Sequence, residues 1–387
     1  MIKLSDMSQG IGRSPIRKMF NIASKMTDVI SFTVGEPDFV TPQNIMDAAA
    51  RAMKAGETHY TLNAGILPLR KAVAKRLKDK NSIEADPENE IIITAGGMEA
   101  LLLCMMVIIN PGDEVIVTDP YWPNHPAQVK MCGGVPRYVK VHESDGFVYN
   151  CDNIRKAINK NTRAILVNSP ANPTGGVAGR ETLKEIAEIA VENDLVVISD
   201  EVYQHFLYDG AEFVSIAGFE GMKERTVIID SFSKTYAMTG WRVGYAAGPE
   251  EIISNMVKLQ ENVVGCINTP AQYAAIEALE GTQEPLRKMI EKYAERRTLL
   301  IDGINSIPGL SCIKPKGAFY AFVNISKSKM KSEEFAVSLL KSTGVVVVPG
   351  SGFGEAGDGF IRMSYATSEE NIMEGLKRMD RFMRSLE

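Results

Sequence analysis

Residues 231–245 read SFSKTYAMTGWRVGY and follow the strand-like run Thr226-Val227-Ile228-Ile229. Lys234 therefore stands just after Ser231 and Ser233 and eight residues before Arg242. A lysine amine can condense with an aldehyde to a Schiff base, and flanking hydroxyls with a guanidinium are what a phosphate group needs. Taken alone, a Ser-Lys pair is a solvated turn and Arg242 an ordinary surface arginine. The spacing acquires meaning only with support from the rest of the chain.

Working outward, short β-rich runs alternate with helical patterns from about Glu90 to Gly248. The predicted strands are Ile91–Thr94, Val115–Thr118, Arg137–Val141, Ala164–Asn168, Leu195–Ser199 and Thr226–Ile229, with helical periodicity over Glu99–Ile109 and Glu181–Glu192. Such alternation predicts an α/β fold, a mostly parallel sheet sandwiched by helices, with ligands at the carboxyl ends of the strands. The stretch Pro285–Asn305 reads as one long helix and marks the boundary of a smaller α+β domain. That domain would hold Gly317–Phe322, Val345–Val348, Phe360–Tyr365 and a C-terminal helix. The expected division is 38–285 for the large domain, with 1–37 and 286–387 forming the small one and an N-terminal arm.

The chain has 387 residues, 45% hydrophobic and 24% charged, enough to bury a large core. A net charge of −5 without a basic block argues against nucleic acid or an anionic membrane surface as partner. The apolar run Leu101–Ile109 is too short to cross a bilayer, and the polar opening Met1–Gly10 lacks a signal peptide's apolar centre, so a cytoplasmic protein is expected. The five cysteines are scattered without a C-x-x-C pair, and the four histidines show no metal-ligand spacing. Reduced thiols and no metal are expected. Residues 352–357, GFGEAG, match the dinucleotide fingerprint G-x-G-x-x-G. The following Phe360-Ile361-Arg362-Met363 reads as a strand, not a helix, so a glycine-rich turn is the better account.

Further landmarks flank the predicted strands. Asp200 ends the run Leu195–Ser199, and Tyr203 three residues on lies on the same side if the chain turns helically; an Asp-Glu pair there is also an ordinary helix cap. Asn172-Pro173-Thr174-Gly175 is a strong turn sequence. Thr94-Ala95-Gly96-Gly97-Met98-Glu99 is a glycine turn from strand into helix, whose first N–H groups and dipole favour an anion. Trp122 sits beyond Val115–Thr118, where an aromatic is most often core.

Together these segments resemble fold-type I pyridoxal-phosphate enzymes, specifically class I/II aminotransferases of the aspartate/aromatic subgroup, in the right order over nearly the whole chain. The resemblance implies pyridoxal 5′-phosphate as cofactor, bound through a Schiff base on Lys234. It implies that Asp200, in its S-D-E-x-Y pattern, pairs with the ring nitrogen. Tyr203 and Asn172 are then partners of the ring oxygen, Trp122 the stacking aromatic, and Gly97, Met98, Ser231, Ser233 and Arg242 the phosphate cup. Tyr60 resembles the tyrosine that reaches the phosphate of a partner subunit, implying a homodimer with shared active sites. Arg362, in Arg362-Met363-Ser364-Tyr365, resembles the arginine that binds the substrate α-carboxylate, which a planar guanidinium grips with two prongs. Asn172 and the backbone of Gly35 would also face the substrate.

The implied activity is transfer of an amino group between an L-amino acid and a 2-oxo acid, with Lys234 carrying the proton. Met98 stands where some dicarboxylate-specific relatives carry a basic residue. An aromatic or apolar donor is therefore favoured over aspartate, with aspartate aminotransferase and carbon–sulfur β-elimination as alternatives. Thirty-four residues precede Gly35, too few for a winged-helix head, so a DNA-binding regulator built on this scaffold is not expected.

Overall fold

The computed structural model describes residues 2–12, 19, 22–23 and 26–386. Twelve strands form three sheets among the described residues. β2 (Ile91–Thr94), β3 (Glu114–Asp119), β4 (Val135–Lys140), β5 (Thr162–Asn168), β6 (Val196–Asp200), β7 (Thr226–Ser231) and β8 (Gly244–Ala247) build the main sheet in the order β2-β8-β7-β6-β5-β3-β4. The pairings from β7 through β4 are parallel, whereas β8 runs antiparallel to both β2 and β7. β8 is therefore the one reversed strand of seven.

Apart from the largely exposed edge strand β4, the main sheet is buried on both faces, and the side-chain alternation shows it. In β5, Ala164 and Leu166 enter the core under the helices Gly97–Ile108 and Glu250–Val263. Ile165 and Val167 enter the opposite core under Arg180–Glu192. Because successive strand residues point to opposite faces, a strand covered twice reads as a continuous apolar run. All four side chains are at most 2% exposed, each stabilising the fold by about 1.5–3 kcal/mol for the larger ones.

β9 (Tyr320–Asn324), β11 (Val348–Pro349) and β12 (Phe360–Ser364) form an antiparallel sheet in the order β11-β12-β9. β1 (Ile30–Ser31) and β10 (Val345–Val346) pair in parallel. The apolar run Val345–Val348 is thus split at Val347 between two sheets. The long helix Glu284–Ser306 matches its expected span, and the C-terminal helix Glu369–Arg384 packs against it. The GFGEAG segment forms two one-turn 3₁₀ helices, Gly350–Phe353 and Glu355–Gly357, followed by β12. It is a turn between strands and opens no helix.

What this architecture positions is one edge. β2, β3, β5, β6 and β7 all end on the same side of the sheet, at Thr94, Asp119, Asn168, Asp200 and Ser231.

Candidate active site

A cavity of about 210 Å³ opens at that edge, lined by residues that follow each strand end, including Gly97, Trp122, Asn172, Asp200 and Lys234. It also receives Thr33, Gly35, Tyr320 and Arg362 from the second sheet and its surroundings. Of the residues expected at the site, every one lines this cavity except Tyr60, which is 95% exposed outside it.

Lys234 is placed by the end of β7. Ser231, in extended backbone, caps the short helix Phe232–Thr235 by accepting from the Ser233 N–H at 3.0 Å. Phe232 points into the core, and the turn brings Lys234 out towards the cavity. Its ammonium group donates to the Gly35 carbonyl at 2.6 Å. Burial pushes the Lys234 amine down to about 8, helped by Arg242 and Arg362, with Glu36 and Asp200 opposing. Desolvation wins over the carboxylates, so a substantial neutral fraction exists near pH 8.

Asp200 closes β6 and is 3% exposed. One carboxylate oxygen meets His125 Nε2 at 2.9 Å, and Trp122 packs edge-on against the His125 ring at 5.1 Å. Asn168, at the end of β5, donates to the Asp200 carbonyl at 3.3 Å and accepts from the Asn172 N–H at 3.1 Å. Tyr203 shares a 2.7 Å hydrogen bond with the Tyr320 hydroxyl, both rings buried.

The opposite wall is rich in unsatisfied donors. The helix Gly97–Ile108 begins after Gly96, whose φ of 80° suits glycine. Glu99 reaches back to accept from the Ala95 N–H, one residue before the cap. The first helical N–H groups, those of Gly97 and Met98, have no partner among the described residues. Gly244 must lack a side chain, because a Cβ there would sit 2.7 Å from the Gly97 nitrogen. Arg242 adopts a left-handed backbone, φ 55°, that costs a non-glycine residue about 1 kcal/mol. This conformation lets its guanidinium donate to the carbonyls of Thr239 at 2.9 Å and Ala95 at 3.2 Å, beside the helix start.

Arg362 is 2% exposed. It donates to Asn172 Oδ1 at 3.0 Å and to the Thr33 carbonyl at 2.9 Å, between the rings of Tyr320 and Phe353 at 4.4 and 4.9 Å. Among the described residues no carboxylate pairs with Arg362 or Arg242. A buried cation is ordinarily paired, so the unpaired Arg362 is suited to an incoming anion, whereas Arg242 is exposed to solvent at the cavity rim.

Residues 27–379 match the family model for aminotransferase class I and II. The chain belongs to this family. It is 44% identical over 383 residues to an aspartate aminotransferase of Pyrococcus abyssi and 42% identical over 383 residues to aromatic-amino-acid aminotransferase 2 of Thermococcus litoralis, in both cases covering 98% of each chain. The crystal structure of an aromatic aminotransferase from Pyrococcus horikoshii is similar at a TM-score of 0.91 and 44% identity, covering 96% of this chain and all of that one. The protein is a pyridoxal-phosphate-dependent aminotransferase of fold type I, acting on an amino acid and a 2-oxo acid.

For this aminotransferase, the cavity residues Asn168, Tyr320, Val202 and Leu101 escaped the sequence reading, as did His125 behind Asp200. His125 carried a signal, since it lies one helical turn past Trp122. Tyr320 carried none, because its partner Tyr203 is 117 residues away.

Proposed function

We propose that Lys234 binds the cofactor aldehyde and is the proton carrier of the transamination, between a phosphate-holding wall and a carboxylate-reading wall. The cavity residues fit the cofactor. The unpartnered Gly97 and Met98 N–H groups, the Ser231 and Ser233 hydroxyls and the unpaired Arg242 make a phosphate cup. Asp200 is the buried carboxylate that would keep the ring nitrogen protonated, with His125 fixing its orientation. Tyr203 and Asn172 would donate to the ring oxygen, and Trp122 would cover one ring face. The bound cofactor supplies an electron sink for the bond broken at the substrate Cα.

The remaining work falls to the chain's own groups. Once freed from the cofactor, the Lys234 amine, already lowered to about 8, can take a proton near neutral pH and return it. Arg362, held planar between Tyr320 and Phe353, would bind the α-carboxylate common to both substrates. Asn172 accepts from Arg362 and so ties the two walls together. The backbone of Gly35 stays bare because a Cβ would meet the Tyr320 hydroxyl at 2.9 Å.

The favoured donor is aromatic or apolar, since Met98, Leu101, Val202 and Trp122 line the cavity. The functional unit is proposed to be a homodimer. Tyr60 and Leu62 are 95% and 65% exposed, on a segment bonded at Thr61 and Asn63 to Cys266 and Gln260 of the stretch that carries the exposed Val263 and Val264, an apolar surface suited to a second copy. Tyr60 would then serve the partner's phosphate. The division into a large domain, 38–285, and a small domain with an N-terminal arm is proposed from the separate sheets. Cytoplasmic action is proposed from five free cysteines.

The observation that carries this reading is a desolvated lysine amine sharing one cavity with a buried carboxylate and two unpaired guanidinium groups. Borohydride reduction of the holoenzyme followed by peptide mapping should place the pyridoxyl group on Lys234. Labelling of another lysine would overturn the assignment.

A further inference from the structure

The glycine-rich turn 350–357 binds no nucleotide by its fold, yet its geometry is demanding. Asp119, the last residue of β3 and 3% exposed, accepts from the Ala356 N–H with both carboxylate oxygens at 3.2 Å. The Tyr121 N–H donates to the Phe353 carbonyl at 2.8 Å. Gly354 has φ 119°, and a Cβ on it would collide with Asp119 Oδ1 and lie 2.9 Å from the Tyr121 ring. Gly350 and Gly357 approach each other so closely that a Cβ on either would strike the other's carbonyl. The turn is thus folded tightly and pressed against the loop after β3.

Each side of this joint carries a wall of the cavity. Trp122 follows Tyr121 directly, and its ring stands roughly perpendicular to that of His125, the partner of Asp200. Phe353, in the turn, is fully buried and packs against the Arg362 guanidinium at 4.9 Å. Glu143, after β4, also reaches the antiparallel sheet by accepting from Asn324 at 2.7 Å, but Asp119 is the more deeply buried carboxylate and the one beside the cavity walls. A carboxylate gripping backbone N–H makes a stronger link than a neutral bond.

The geometry points to Asp119 as a positioning residue that sets Arg362 against Trp122, coupling the grip on the substrate carboxylate to the wall that faces the cofactor. This rests on the proposed roles of Arg362 and Trp122. Asp119 touches neither substrate nor cofactor. Its effect is to hold the Phe353 turn in place.

The test uses holoenzyme of Asp119→Asn, Asp119→Ala and Gly354→Ala, with Arg362→Lys alongside. Three quantities are read well below each variant's melting temperature: the dissociation constant of 3-phenylpropanoate, an unreactive carboxylate; the KM and kcat for donor and acceptor; and the visible circular dichroism of the bound cofactor. Asp119→Ala and Gly354→Ala are expected to weaken 3-phenylpropanoate and raise both KM values roughly tenfold to a hundredfold, with a smaller fall in kcat and an altered dichroism. Asp119→Asn keeps an acceptor oxygen for Ala356, should fold, and should fall between them and the parent. A role confined to stability would lower the melting temperature and leave these quantities unchanged, which overturns the proposal. If Arg362→Lys loses carboxylate affinity and the Asp119 variants do not, the joint alone is wrong. If Arg362→Lys loses none, the reading of Arg362 falls first.

Discussion

Arg362 donates to the side-chain oxygen of Asn172 at 3.0 Å, although 190 residues separate them. The bond joins β12 of the antiparallel sheet to the turn after β5 of the main sheet, and it leaves other donors of the guanidinium unspent. Two paths therefore run round the cavity from Arg362 to Asp200. One passes through Asn172 and Asn168, the other through Phe353, Tyr121, Trp122 and His125.

Arg362→Lys should raise KM for the amino acid and the 2-oxo acid together. A lysine cannot reproduce a two-pronged contact, nor can it lie flat between Tyr320 and Phe353. Losing one charge-assisted bond costs about 1.5–3 kcal/mol, roughly ten- to hundredfold in kcat/KM. Steady-state kinetics with both substrates varied will decide it. An effect on only one of them would mean that Arg362 reads a side chain.

Asp200→Ala should leave the cofactor bound, because the phosphate cup and Lys234 are untouched, while turnover collapses. Removing one member of a buried charged pair typically costs about 3–5 kcal/mol, so kcat should fall by at least about a hundredfold. His125 would lose its partner as well. Absorbance will report occupancy and single-turnover rates the chemistry; near-parental turnover would reduce Asp200 to a structural cap.

These roles were readable from the chain to different degrees, for physical reasons. β5 and β6 stood out because strands buried on both faces are continuous apolar runs. β8 did not, since Gly244-Tyr245-Ala246-Ala247 has weak strand propensity and is kept in the sheet by Gly244, whose bare Cα fits against the Gly97 nitrogen. The motif residues Lys234, Asp200 and Asn172 sit at strand ends, where alternation alone predicts a ligand. Tyr320 supports Tyr203 through a contact 117 residues away, which no local pattern encodes, whereas His125 had only its spacing from Trp122 to mark it before its contact with Asp200, 75 residues on. Tyr60 lies outside the cavity of its own chain, so only a second subunit can give it the role its motif implied.

Glu201 gives the protein a predicted pH dependence of stability. It is 1% exposed, takes hydrogen bonds from Ser199 and Ser215 on one oxygen, and has no partner on the other. Burial pushes its carboxyl up to about 8 from an ordinary 4.5, with Asp230 and Asp200 adding to the rise and the two serines opposing it. Because the folded value lies above the unfolded one, this contribution is fully present below about pH 4.5 and is lost as pH rises towards 8. The slope is up to about 1.4 kcal/mol per pH unit. Glu201→Gln removes the titration and keeps an acceptor for both serines. Calorimetry at pH 5 and pH 8 should show a smaller fall in melting temperature for the variant than for the parent; equal falls would sink the idea.

Substrate preference follows from the charges around the cavity. The cations lining the cavity are Lys234, Arg242 and Arg362, which the cofactor and the α-carboxylate would occupy. Met98 offers a thioether that accepts from Asn124 at 3.3 Å, and residues 261–270 contain no lysine or arginine. Arg13, the arm residue that could supply a charge on closure, lies outside the described residues. A second carboxylate would then be desolvated without a charge-assisted partner, at a cost of about 1.5–3 kcal/mol or roughly ten- to hundredfold in kcat/KM. Phenylalanine and methionine should therefore outperform aspartate as donors, and Met98→Lys should narrow the gap. Aspartate outperforming both in a side-by-side assay would refute the expectation. Arg13→Ala would then reveal whether the arm is the reason, since loss of aspartate activity alone would assign the missing charge to it.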